Sequence, residues 1–187
     1  MNKSTRILTV CLFVGTAACT KQAEQNTYDR QETTISNFVA AQLKADPNAT
    51  VTYNNGSVRI TLNDVLYKDQ EAADSLRDGG TVSFYYAGYT LSGTSLSPSN
   101  LFATNRKESA TAAGWTLSDE DQFHIETMVL DDEMLPGLRS GLAGVQNEDE
   151  CIILFSGKYG FGNKTPGTIP ARSALAFHVW VKSFDND

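Results

Sequence analysis

Residues 129–181 leave this chain little freedom in what it can fold into. The run opens on Val129 and Leu130, passes three acids, and continues Met134-Leu135-Pro136-Gly137-Leu138. An apolar strand follows, then Tyr159-Gly160-Phe161-Gly162, Thr168-Ile169-Pro170 and the alternating run Phe177-His178-Val179-Trp180-Val181. Proline has a fixed φ and no N–H, so Pro136 suits the first turn of a short helix, with Asp131, Asp132 and Glu133 at its positive end. Period-two alternation in 177–181 requires a strand. Two strands, one short helix and a glycine-rich loop gather apolar and aromatic side chains with no ionisable chemistry among them. That is the profile of an apolar pocket rather than an acid–base site.

The preceding chain supplies more strands. Asn54-Asn55-Gly56 is a turn signal before the alternating Val58-Arg59-Ile60-Thr61-Leu62. Arg77-Asp78-Gly79-Gly80 introduces a long β-branched and aromatic strand over 81–91. Residues 92–121 are rich in Ser, Thr, Asn, Gly and Ala, with a short helix expected over 106–113; a connection of this length is functional or mobile. Alternation resumes at Phe123, putting Phe123, Ile125 and Val129 on one face and His124 on the other. His178 likewise faces away from Phe177 and Val179, so both histidines are expected as solvated strand residues. Tight turns between such strands favour an antiparallel sheet. Upstream, Ile35, Phe38, Val39 and Leu43 recur at helical spacing until Asp46-Pro47-Asn48, predicting an amphipathic helix over 32–44 whose apolar stripe packs on the domain, with an oligomer contact as the open alternative.

The amino terminus is an address. Lys3 and Arg6 precede an apolar run over 7–14 that is too short to span a bilayer, and Gly15-Thr16-Ala17-Ala18 sets small residues before Cys19. This resembles a bacterial lipobox, with Thr16 where Leu is usual; an ordinary secretory signal is the alternative reading. The domain reading is therefore a signal peptide over 1–18, a lipidated Cys19 with a polar tether over 19–31, an N-terminal helix and linker over 32–57, and a main domain over 58–187 with an insertion at about 92–121. Cys11 leaves with the signal, so Cys151 has no disulfide partner and is expected as a buried structural thiol on the face of Ile153 and Phe155.

Charge and motifs exclude several classes. A net charge of −7 argues against nucleic acid, whose binders concentrate Lys and Arg. The run from Gly157 to Thr165 fails as a phosphate loop: Asn163 interrupts the Gly-Lys-Thr end, and Pro166-Gly167 stand where a helix must begin. Two isolated histidines give neither a catalytic triad nor a transition-metal site, and no metal or cofactor is expected.

From about residue 58 to 184 the chain resembles the FKBP-type peptidyl-prolyl cis-trans isomerases. The resemblance rests on Gly80-Thr81-Val82-Ser83-Phe84-Tyr85-Tyr86-Ala87-Gly88, on Met134-Leu135-Pro136-Gly137-Leu138 with Gly141-Leu142, on Tyr159-Gly160-Phe161-Gly162, and on Thr168-Ile169-Pro170 leading to Phe177. It implies an α+β fold, a half-wrapped antiparallel sheet around one short helix, here with an N-terminal helical extension. It also implies rotation about Xaa-Pro bonds as the reaction. Matched by position, Tyr86, Leu135 and Phe177 would be the catalytic residues: a tyrosine at the pocket wall, a backbone N–H for a substrate carbonyl, and an aromatic wall. Phe102, Met134, Leu138, Phe161 and Ile169 would bind substrate.

Three positions depart from the family pattern. Leu138 stands where Trp is common, and Phe161 where Tyr is usual. The family's Phe-Asp pair maps onto Phe102-Ala103 or onto Leu96-Ser97, neither of which carries the acid. Which of Phe123 or Ile125 enters the pocket is open. The expectation is a lipid-anchored, extracytoplasmic isomerase at a bacterial membrane, on the outer membrane or the periplasmic face, assisting exported proteins with proline-containing polypeptides as partners. The competing class is a non-catalytic FKBP-like binding lipoprotein.

Overall fold

The computed structural model describes residues 15–62, 74–117 and 120–187. The signal segment over 1–14 and the side chain of Cys19 lie outside the described residues. The chain runs α1 (Gly15–Ala45), β1 (Thr50–Asn54), β2 (Ser57–Thr61), β3 (Thr81–Thr90), β4 (Leu101–Thr104), α2 (Lys107–Ala112), β5 (Glu126–Val129), α3 (Pro136–Leu142), β6 (Glu150–Phe155) and β7 (Leu175–Asp185). The strands form one antiparallel sheet ordered β1-β2-β6-β7-β3-β4, with β5 also paired to β3. One edge of β3 is therefore shared: β5 takes Thr81 to Phe84 and β4 takes Ala87 to Tyr89, while β7 runs the full length of the other edge. The α+β fold expected from the sequence is the one observed.

Strand parity sorts the core into two layers. Val82 and Phe84, Cys151, Ile153 and Phe155, and Phe177, Val179 and Val181 face α3, joined by Leu138 and Leu142 of that helix. Ile60, Ile152, Leu154 and Ala176 face the other way, under Ile35, Phe38 and Val39 of α1. With a helix on each face, β6 is buried from Cys151 to Phe155, which explains its unbroken apolar run. The β1–β2 turn is the expected Asn55-Gly56 pair, both at positive φ (43° and 81°), as a two-residue hairpin loop of matching twist requires.

Several expectations need correction. Segment 19–31 is not a tether, because α1 is continuous through it. The segment lacks Gly and Pro, and side-chain bonds four residues apart support it, Gln22 to Asn26 at 2.9 Å and Gln25 to Asp29 at 2.8 Å. Leu43 stays exposed instead of joining the buried stripe. The expected linker up to residue 57 contains β1, paired with β2. The insertion holds β4 and α2, the latter close to the expected short helix. Phe123 and Ile125 precede β5 rather than extending it. His178 is not solvated: its Nε2 lies 2.8 Å from Glu150 Oε1 and its ring 3.8 Å from that of Trp180. Burial holds its pKa below the usual value against the opposing pull of Glu150. No helix among the described residues is long and apolar enough to cross a membrane.

Cys151 is fully buried, and desolvation raises its thiol pKa from 9.0 to about 12. Between those values the unfolded chain releases a proton that the folded chain keeps, so this residue weakens the fold as pH rises through that window. Native Cys151 is expected to resist a thiol reagent at pH 8 and to react at the rate of global unfolding, read by mass spectrometry of the Cys151 peptide. Fast labelling of folded protein would refute its burial.

Candidate active site

A cleft of about 510 Å³ opens between β3, β4, β5, β7 and the start of α3. Its lining follows from strand parity: even-numbered Phe84 and Tyr86 of β3 and odd-numbered Phe177 of β7 project to the α3 face. Phe102 and Ala103 come from β4, Met128 and Val129 from β5, and Met134, Leu135 and Leu138 from the start of α3. Phe177 is the hub. Its ring lies 6.2 Å from Tyr86, 5.7 Å from Phe102 in an edge-on contact, and 5.9 Å from Phe155 in a stacked one. Such offset and edge-on pairs stabilise beyond their buried area, so the wall is preformed.

Helix α3 reaches this position because glycines face the sheet. A methyl carbon on Gly137 would lie 2.2 Å from the Phe155 ring, and one on Gly141 2.1 Å from Ile153. The far end of α3 is held by Arg59 of β2, whose Nη1 donates to the carbonyls of Gly141 (3.0 Å) and Ala143 (2.8 Å), satisfying the terminal carbonyls with a cation. Midway along the helix, Arg139 binds Asp78 and Asp132. Leu135 precedes the helix in extended conformation, and among the described residues nothing accepts its N–H, which leaves that group for an incoming carbonyl.

Burial, and secondarily the nearby Glu126, raise the Tyr86 pKa, keeping it a neutral phenol at physiological pH. No described side chain bonds its hydroxyl. Its backbone is firmly held: Asn105 Oδ1 accepts the Tyr86 N–H at 2.6 Å, and Thr104 Oγ1 donates to the Tyr86 carbonyl at 2.6 Å. The remaining polar lining is Asp131 and Glu133 at the rim, so the cleft is apolar within and acidic at its mouth.

Six of the eight residues singled out in the sequence as catalytic or substrate-binding line this cleft together: Tyr86, Phe102, Met134, Leu135, Leu138 and Phe177. Phe161 and Ile169 do not line it; they pack on the same core cluster from the loop after β6. Leu96 belongs to the opposite layer, so Phe102-Ala103 is the pair at the cleft and no acid occupies the second position. Neither Phe123 nor Ile125 enters: Phe123 lines a separate groove with Tyr85 and Trp180, and Ile125 is exposed. Sequence reasoning missed Phe84, Met128 and Asn105. For Phe84 the signal was present, two residues before Tyr86 on the same strand face.

The fold is similar to that of FkpA from Escherichia coli at 16% identity and a TM-score of 0.50, over 90% of this chain and 67% of that one. It is similar to a peptidyl-prolyl cis-trans isomerase from Pseudomonas syringae pv. tomato at 15% identity and 0.54, over 86% and 96%. The three FKBP domains of wheat FKBP73 match at 16% and 0.53, with 74% of this chain covering 52% of that one. No curated protein sequence matches the chain. Residues 73–182, more than half of the chain, match the sequence profile of one family; the chain belongs to the FKBP-type peptidyl-prolyl cis-trans isomerases, enzymes that rotate Xaa-Pro bonds.

Proposed function

We propose that this isomerase is lipid-anchored through Cys19 on the extracytoplasmic side of a bacterial membrane and assists the folding of exported proteins by acting on their Xaa-Pro bonds. The observation that carries the catalytic part is the cleft itself, whose inner walls are apolar, with Tyr86 and the Leu135 N–H as the groups offered to substrate. Rotation must break amide resonance over a barrier of about 18–20 kcal/mol. The planar amide is the more charge-separated form, so an apolar environment favours the twisted one, and hydrogen bonds placed on the flanking carbonyl fix its orientation. No proton moves, so the reaction needs no general base. Unassisted isomerisation takes tens of seconds or more and limits folding, which gives such a catalyst its task. The address over 1–19 supports the anchor.

The test is the cis-to-trans exchange rate of short Xaa-Pro peptides with and without purified protein. The parent is expected to accelerate exchange, and Phe177→Leu, which empties the hub of the aromatic wall, to lower kcat/KM about ten-fold, a loss of the order that slight mispositioning produces. Peptide binding without acceleration would instead establish the alternative, a non-catalytic binding lipoprotein, which Leu138, Phe161 and Ala103 favour by departing from the family pattern. Mass spectrometry of the mature terminus tests the anchor: an unacylated Cys19 refutes it.

A further inference from the structure

Helix α1 does more than cover the back of the sheet. Glu24, Tyr28, Gln31, Ile35 and Phe38 recur at alternating spacings of four and three, one continuous stripe along the helix. Ile35 and Phe38 pack on the sheet, whereas the earlier part of the stripe meets the loop between β6 and β7. At its centre the Gln31 amide spans the neck of that loop. Its Oε1 accepts the Gly157 N–H at 2.9 Å, and its Nε2 donates to the Arg172 carbonyl at 2.5 Å. The two partners fix the amide orientation, since one offers only a donor and the other only an acceptor.

The neck is tight and strained. A Cβ on Gly157 would fall 2.4 Å from the Arg172 carbonyl oxygen, and Arg172 itself sits at φ 60°, a left-handed conformation that persists only where the surroundings dictate it. Two turns nearer the helix start, Glu24 accepts from Tyr28 at 3.0 Å and from Asn163 at 3.4 Å, and its carboxylate lies 4.0 Å from Arg172. The loop so held carries Phe161 and Ile169, which pack into the cluster containing Phe177 and Leu138 of the cleft.

We propose that Gln31 is a positioning residue of the isomerase: by clamping Gly157 to Arg172 it sets the loop that backs the cleft, and so links α1 to substrate binding. This rests on the reading of the cleft as the isomerase site. Gln31 touches neither substrate nor the cleft lining, and acts through the loop.

The experiment uses the full chain with Gln31→Ala, Gln31→Glu and, as a control on the same helix, Val39→Ala. Two readouts are taken well below the thermal midpoint. Amide hydrogen exchange is expected to speed about ten-fold at Gly162 and Arg172 in Gln31→Ala, with Ile153 in β6 unchanged. For an Xaa-Pro peptide, kcat/KM is expected to fall about ten-fold, mainly through KM. Gln31→Glu keeps the Gly157 contact and opposes a carboxylate to the Arg172 carbonyl, so it is expected not to rescue. Val39→Ala should lower stability and leave kcat/KM unaltered. Unchanged loop exchange in Gln31→Ala overturns the clamp, and an equal kcat/KM loss in Val39→Ala reduces Gln31 to general stability. A parent without activity defeats the functional reading alone, since loop exchange still decides the clamp.

Discussion

Gly137→Ala is expected to destabilise the protein by about 3 kcal/mol, the upper end of what overpacking a filled core costs. The new methyl would stand 2.2 Å from the ring of Phe155, which is fully buried and stacked on Phe177 at 5.9 Å. Neither ring can yield without disturbing the aromatic wall, so α3 must move outward. Higher helix propensity for Ala offsets less than about 1 kcal/mol of this. For a chain of this size the change corresponds to a midpoint lowered by about 6–12 °C. Because Leu138 lies on this helix and Leu135 directly precedes it, activity should fall in the fraction that stays folded. Denaturant titration with kcat/KM measured below the transition checks both, and a loss under about 1 kcal/mol would show that α3 slides freely over β6.

How much of this was legible in the chain depends on whether a feature is local. Pro136 at the start of α3, the Asn55-Gly56 hairpin and the parity of β7 are dictated by the residues themselves, and they appear where the sequence placed them. The frame of the cleft was legible for the same reason: Tyr86, Met134, Leu135, Leu138 and Phe177 lie at fixed offsets within elements of clear period. What escaped was non-local. The segment before Ile35 carries polar residues on the stripe where an apolar face would announce a helix, because its partners are loop amides and carbonyls instead of a hydrophobic core. Phe123 and Ile125 continue the alternation of β5 on paper, but the strand pairs with only the first four residues of β3, and beyond Phe84 that edge passes to Asn105 and β4. Parity alone makes His178 a solvated residue off the α3 face, and only the structure brings Glu150 and Trp180 against it.

The handover at Asn105 is where the second large effect is expected. This residue is 4% exposed and fills the gap between β4 and β5 on the shared edge of β3. Its Oδ1 accepts from the Tyr86 N–H at 2.6 Å, and its Nδ2 donates to the carbonyls of Phe84 at 3.1 Å and His124 at 3.0 Å. The side chain therefore supplies the pairing that a continuous neighbouring strand would otherwise give. Asn105→Ala removes all three bonds and is expected to cost about 3–5 kcal/mol, since each buried backbone group left unpaired is worth about 1–3 kcal/mol and water relieves part of the total. Asn105→Asp is sterically neutral but electrically wrong. It keeps an acceptor for Tyr86 and turns a carboxylate toward two carbonyl oxygens, so its loss at pH 7 should match or exceed that of Asn105→Ala. Protonation of the introduced carboxyl restores one donor, so relative to the parent the deficit should shrink as the pH falls and grow as it rises, the sign required when the folded state favours the protonated form. Stability of the parent and both variants across pH 4–8 measures this. A pH-independent difference between Asn105→Asp and the parent would mean that the side chain is not turned toward the two carbonyls, and that β3 keeps Phe84 and Tyr86 in place at the cleft wall without it.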